Sequence, residues 1–392
     1  MYSPWVKVDD RVTALTPAAG RFAFSPSGRY LAWVEGPAMA RLHVTALDSL
    51  RTVCTLDDPG AFALAWAGDD ELRVVRAVDR AVIASRHGLP DGGALGAVTM
   101  PRDSFGMRAG WSADGRVALV HQASYHRAKS AARAFLVGAR GDDVATELAL
   151  APATPEGRGP FVPPAPECAL SPDGHRVAVV LRTSPHGEPL ARFVDAGGAR
   201  VAEVPLPRGE ARVLGWASPT ALLFHNGATL LRADLDGSCT HVATLPAGTA
   251  VDDLDLHPER DRLLLRALRA GDGARYRTLA LHVPLGGAPA AAITLSGDRS
   301  PESGMRDGGA CWDAAGAILT LTQSPPGVAN LARRDAPGAP GRRLAKFGLP
   351  GERPHELTLA ASPSRTRFLA TWKAFDRGPA DPVRRLMLLD VP

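Results

Sequence analysis

An all-β fold, a single closed β-propeller of about eight four-stranded blades, is what this sequence of 392 residues predicts. Two observations carry the prediction. One short phrase recurs along the chain: an apolar strand, a tight polar turn, then a second apolar strand. In addition, no segment combines a period of 3.6 with helix caps, so very little helix is expected.

The phrase is clearest at Phe22-Ala23-Phe24-Ser25-Pro26-Ser27-Gly28-Arg29-Tyr30-Leu31-Ala32-Trp33 and at Cys168-Ala169-Leu170-Ser171-Pro172-Asp173-Gly174. Its turns begin at residues 25, 67, 112, 171, 217, 257, 313 and 362, so successive spacings are 42, 45, 59, 46, 40, 56 and 49. A period of forty-odd residues built from β-type segments matches one propeller blade. Local chemistry agrees with this. Proline presets φ, serine or aspartate bonds the nearby backbone, and glycine accepts a positive φ.

Blades are expected near residues 20–57, 61–99, 106–149, 166–205, 211–246, 250–295, 308–347 and 355–391 of one domain. Seven is the alternative if the weak second blade is an elaboration. The last blade offers three strands, while Arg11-Val12-Thr13-Ala14-Leu15 stands before the first blade without one of its own. Adding that strand near Val391 would close the ring and hide two sheet edges.

The phrases Phe24-Ser25-Pro26-Ser27-Gly28 and Leu170-Ser171-Pro172-Asp173-Gly174, with Asp234-Leu235-Asp236-Gly237, resemble the repeats of TolB-like and WD-type β-propellers. The resemblance covers nearly the whole chain and implies the fold only, since such propellers serve unrelated functions. The Trp-Asp pair typical of WD repeats occurs at Trp312-Asp313, in a different strand from the family's, which favours the TolB-like type.

Composition narrows the function. The formal charge is +4, from 45 Lys and Arg against 41 Asp and Glu, without a basic run, so a nucleic-acid role is not expected. No stretch of eighteen apolar residues exists, and residues 1–10 lack the pattern of a signal peptide. A cytoplasmic protein is expected. Cys54, Cys168, Cys239 and Cys311 lie far apart, as suits reduced thiols.

Catalytic signatures are missing: no Gly-x-Ser-x-Gly elbow, phosphate loop, Rossmann fingerprint or His-Glu-x-x-His helix occurs. Asp252, Asp253, Asp255 and Asp261 lack calcium-loop spacing. No cofactor is expected. Trp66, Trp111, Trp216 and Trp312 share one register at the end of a first strand, which points to packing between blades. The long connections all join second to third strands or one blade to the next, which places them on one face of a propeller. There His121, Tyr125, His126, Arg127, Arg182, His186, Arg269 and Arg377 are the candidate partner-binding residues, with His225, Arg266 and Lys373 in equivalent links. The expected function is a non-catalytic scaffold for a protein partner or a larger assembly. The alternative is a propeller lactonase, lyase or hydrolase acting at the central channel.

Overall fold

The computed structural model describes residues 5–9, 12–15, 19–35, 41–57, 59–102, 106–123, 132–148, 167–182, 188–209, 211–227, 229–257, 259, 261–270, 276–286, 289–295, 306–323, 328–348, 354–375 and 382–391. These form strands, with no helix among the described residues. The first two are β1 (Trp5–Asp9) and β2 (Val12–Leu15). Next come β3 (Ala19–Phe24), β4 (Tyr30–Glu35), β5 (Leu42–Ala46) and β6 (Arg51–Leu56), then β7 (Ala61–Trp66), β8 (Glu71–Val78), β9 (Ala81–Gly88) and β10 (Gly93–Pro101). The third and fourth groups are β11 (Gly106–Trp111), β12 (Ala118–Ala123), β13 (Ala132–Gly138) and β14 (Gly141–Leu148), and β15 (Glu167–Leu170), β16 (Arg176–Arg182), β17 (Pro189–Asp195) and β18 (Arg200–Pro205). The fifth and sixth are β19 (Ala211–Ser218), β20 (Ala221–Asn226), β21 (Thr229–Asp234) and β22 (Cys239–Thr244), and β23 (Thr249–Leu256), β24 (Arg262–Ala270), β25 (Tyr276–Pro284) and β26 (Ala291–Thr294). The chain ends with β27 (Arg306–Trp312), β28 (Ile318–Gln323), β29 (Ala329–Arg334) and β30 (Arg342–Phe347), then β31 (Pro354–Ala361), β32 (Phe368–Phe375) and β33 (Pro382–Leu389).

Each group pairs in sequence order as an antiparallel meander, and the fold is an eight-bladed β-propeller. The weak second blade is a full sheet, β7 to β10. The last blade is completed from the N-terminal side, with Val12 opposite Leu389 and Leu15 opposite Leu386. An unforeseen strand, β1, adds to the outer edge of β2. The chain divides into two compact units, Met1–Pro37 with Val44–Thr52 and Val242–Pro392, and Ala38–His43 with Val53–His241.

Burial explains the sequence pattern within each sheet. Second strands are apolar on both faces, as in Leu31–Val34 and Leu222–Phe224, and are buried. Fourth strands such as β6 and β14 expose half or more of their residues, so their sequences alternate or turn polar. In the first unit, one core gathers Trp372, Phe368, Phe347 and Leu357 with Val12 and Ala14. In the second, Phe193, Trp216 and Phe224 pack together, Phe193 edge-on to Trp216 at 5.5 Å.

The repeated turn is as regular as its chemistry suggests. All eight turn-start residues, Ser25, Ala67, Ser112, Ser171, Ala217, His257, Asp313 and Ser362, are buried. Where serine starts the turn, its Oγ accepts an amide five residues on: Tyr30 at 3.1 Å, Val117 at 2.9 Å, Arg176 at 2.9 Å and Arg367 at 3.1 Å. Asp313 instead accepts the Ala315 and Ala317 amides. Gly115 has φ +69, and a Cβ there would fall on the Trp66 carbonyl of the preceding sheet.

Of the four tryptophans in the shared register, Trp66, Trp216 and Trp312 are buried and Trp111 is half-buried. The Trp216 indole donates to the Ala169 carbonyl at 3.1 Å, while Trp111 Nε1 is buried without a hydrogen bond. Trp216→Phe is therefore expected to cost about 1–2 kcal/mol, and Trp111→Phe distinctly less, in chemical denaturation. Equal losses would place the energy in ring volume alone.

Candidate functional site

The sequence-derived partner residues fall at one type of position. His121 on β12, Arg182 at the end of β16 and Arg269 on β24 all lie near the C-terminal ends of second strands. His225 has the same place on β20. His121 stands opposite Arg108, and its Nε2 is buried without a hydrogen bond. Burial, with the nearby Arg108 charge, pushes its pKa down. Arg269 is exposed. Tyr125, His126, Arg127, His186 and Arg377 lie outside the described residues, as do the Arg182 and Lys373 side chains.

A different place holds the most developed polar geometry, at the opposite ends of three sheets of the first unit. The first strands β23, β27 and β31 bound a recess of about 310 Å³. Leu254, Asp255, Ala310, Cys311, Leu359 and Arg365 are among its lining residues. Its shape follows from how β27 meets β31. The two pair in parallel at Arg306–Glu356 and Asp307–Leu357. A Cβ at Gly309 would strike the Leu359 backbone, so glycine permits this approach.

Arg365 occupies the turn after β31 and closes the recess. Both Nη atoms bond Asp255, Nη1 to Oδ2 at 2.9 Å and Nη2 to Oδ1 at 2.8 Å. The same two nitrogens reach the Trp312 carbonyl at 3.0 Å and the Leu256 carbonyl at 2.7 Å. The Trp312 amide returns a bond to Asp255 Oδ2 at 2.9 Å. Burial opposes the guanidinium charge, but the bonds and charge of Asp255 outweigh it and raise the Arg365 pKa. A carboxylate held by a bidentate guanidinium and an amide is an anchor, with its acceptor capacity committed. Asp255 thus ties three sheets together.

The signal for Arg365 is present in the repeat. Ser362-Pro363-Ser364-Arg365 aligns with Ser25-Pro26-Ser27-Gly28, so arginine stands where the turn wants glycine. Its φ is +55, against +74 at Gly28. A left-handed non-glycine residue is held there by surrounding contacts.

Beside the clamp, the His257 turn gathers possible metal ligands. His257, Glu259 and Asp261 offer ligand atoms within 4.8 Å of one another. Arg262 already supplies a cation, with Nε 3.3 Å from Asp261 and Nη2 3.7 Å from Glu259. Its Nη2 also lies 3.2 Å from His257 Nε2. A charge-paired surface turn accounts for the cluster without a metal.

Comparison with known proteins bears on the fold alone. No protein-family model matches the chain, and no curated protein does either. Solved structures match in number. The C-terminal WD40 domain of Sif2 superposes with a TM-score of 0.61 at 11% identity, covering 99% of both chains. A eukaryotic initiation factor gives 0.55 at 11% identity, over 95% of this chain and 90% of that one. The dihydro-heme d1 dehydrogenase NirN, solved in complex with DHE, gives 0.54 at 13% identity, over 88% and 72%. The fold of the chain resembles that of these propellers, the WD40 domain of Sif2 among them. No helix among the described residues is long and apolar enough to cross a membrane.

Proposed function

We propose that the protein is a non-catalytic scaffold that binds a partner protein in the cytoplasm, through the strand ends that carry its long connections. One observation carries this reading: the three longest links between strands lie at the same end of their meanders. The links 124–131, 183–188 and 271–275 join second to third strands, and 149–166 and 295–305 join one sheet to the next. First-to-second strand links are short and closed by their own turn bonds. Commitment of Asp255 to Arg365 supports the non-catalytic half, because it removes the best-placed carboxylate of the recess from proton transfer.

The test is affinity capture compared across the wild type and variants of its charges. Reversing Arg127, Arg182, Arg269 and Arg377 together to glutamate is expected to release a partner that the wild type retains. Single reversals should weaken capture only slightly, since exposed ion pairs contribute about 0.2–1 kcal/mol each. Wild-type capture should also weaken with added salt. Asp114→Asn with Asp173→Asn, in the short turns, should capture normally. Loss of the partner from the turn variant, with retention by the charge-reversed one, would overturn the choice of surface.

A further inference from the structure

Trp312 sits where two sheets of the first unit meet, with an imidazole on each side. His257, after β23, lies edge-on to its ring at 4.7 Å, and His282 on β25 does so at 5.6 Å. Arg262 lies over the same ring at 5.6 Å. Trp312 is 2% exposed and His257 is 4% exposed, so neither is served by bulk water. Crowding extends to Gly316 in the next turn, where a Cβ would stand 2.7 Å from His257 Nε2.

Both nitrogens of His257 face N–H donors. The Glu259 amide points to Nδ1 at 3.2 Å, and Arg262 Nη2 lies 3.2 Å from Nε2. A neutral ring accepts from one of them, whereas an imidazolium accepts from neither. We infer that His257 and His282 form a proton-sensitive joint between the sheets β23–β26 and β27–β30, seated around Trp312 when both rings are neutral and loosened when they are charged.

The charges around the joint favour this. Arg262 and Arg365 bring positive charge toward His257, and Arg262 also faces His282. Asp261, with Nδ1 3.3 Å from its Oδ1, and Glu259 oppose them. Both carboxylates are exposed, so water screens them. Asp255 is taken by Arg365, and Asp313, in the turn that holds Gly316, is taken by Arg333 at 2.7 Å. Burial first, and Arg262 second, lowers the pKa of both imidazoles from the ordinary 6.5. The folded protein then binds these protons more weakly than the unfolded chain. Above about pH 6.5 both states are neutral and stability is level; below it the unfolded state takes up more protons and stability falls.

Amide hydrogen exchange of the whole chain reads the joint directly. Between about pH 7.5 and pH 5.5, after correction for intrinsic rates, protection at residues 257–262 and 311–318 is expected to drop roughly ten-fold. Protection across β31–β33 should change less. His257→Asn with His282→Asn should level the pH response of the joint. A flat response in the wild type, or an equal drop in the double variant, would overturn the inference. If the double variant does not fold, ring-proton titration of the wild type decides: either imidazole titrating at or above about 6.5 in the folded state refutes the joint.

Discussion

Removal of residues 1–16 is expected to convert a soluble protein into an aggregating one. The segment carries β2, whose Val12, Ala14 and Leu15 are at most 2% exposed. Val12 and Ala14 belong to the core of Trp372, and Leu15 to that of Trp33 and Leu386. Each large apolar side chain stripped from such a core costs about 1.5–3 kcal/mol in lost burial. The more damaging loss is of pairing. Without β2, Leu386, Met387, Leu388 and Leu389 of β33 present a bare apolar edge, and such edges recruit other chains. A shorter deletion of residues 1–10 removes only β1 and provides the control. Light scattering and thermal melting should show a mild change for the short deletion and association for the long one. An equally soluble and stable long deletion would show that the last blade does not depend on β2.

Arg365→Ala is expected to cost about 3 kcal/mol, toward the lower end for breaking a buried pair because both partners keep some contact with water. The side chains are 17% and 26% exposed. Substitution leaves Asp255 unpaired and takes donors from the Leu256 and Trp312 carbonyls. It also keeps a non-glycine residue at φ +55. Arg365→Gly loses the same bonds but relieves the backbone, so it should be about 1 kcal/mol less damaging. Pairing Arg365→Ala with Asp255→Asn should cost less than the sum of the two single changes. Additive losses in urea titrations would mean that the two residues act independently.

The sequence discloses this fold because the repeat rests on local chemistry. Ser25, Ser112, Ser171 and Ser362 bond amides within their own turns, so four residues carry the signal. The closing role of Val12–Leu15 is legible from strand counting, because the last blade offers three strands. β1 is not: it is five residues long and, among the described residues, no other blade has a counterpart. The clamp escapes pattern reading for another reason. Asp255 and Arg365 lie in different repeats, and only the loss of glycine at position 365 marks the site. The long connections are legible only as length, and length indicates position without fixing what the side chains do there.

Closure through β2 also governs the order in which the structure can form. The β2–β33 pairing joins residues nearly the whole described chain apart, so it forms late under the entropic cost of so long a loop. During synthesis every other meander can close from neighbouring residues, while Val12, Ala14 and Leu15 have β1 on one side and wait for their other partner until β33 has been made. An apolar strand left open for that interval is exposed to mispairing, including with a second nascent copy. The yield of native protein should therefore depend on expression rate and temperature more steeply than the stability of the finished ring does.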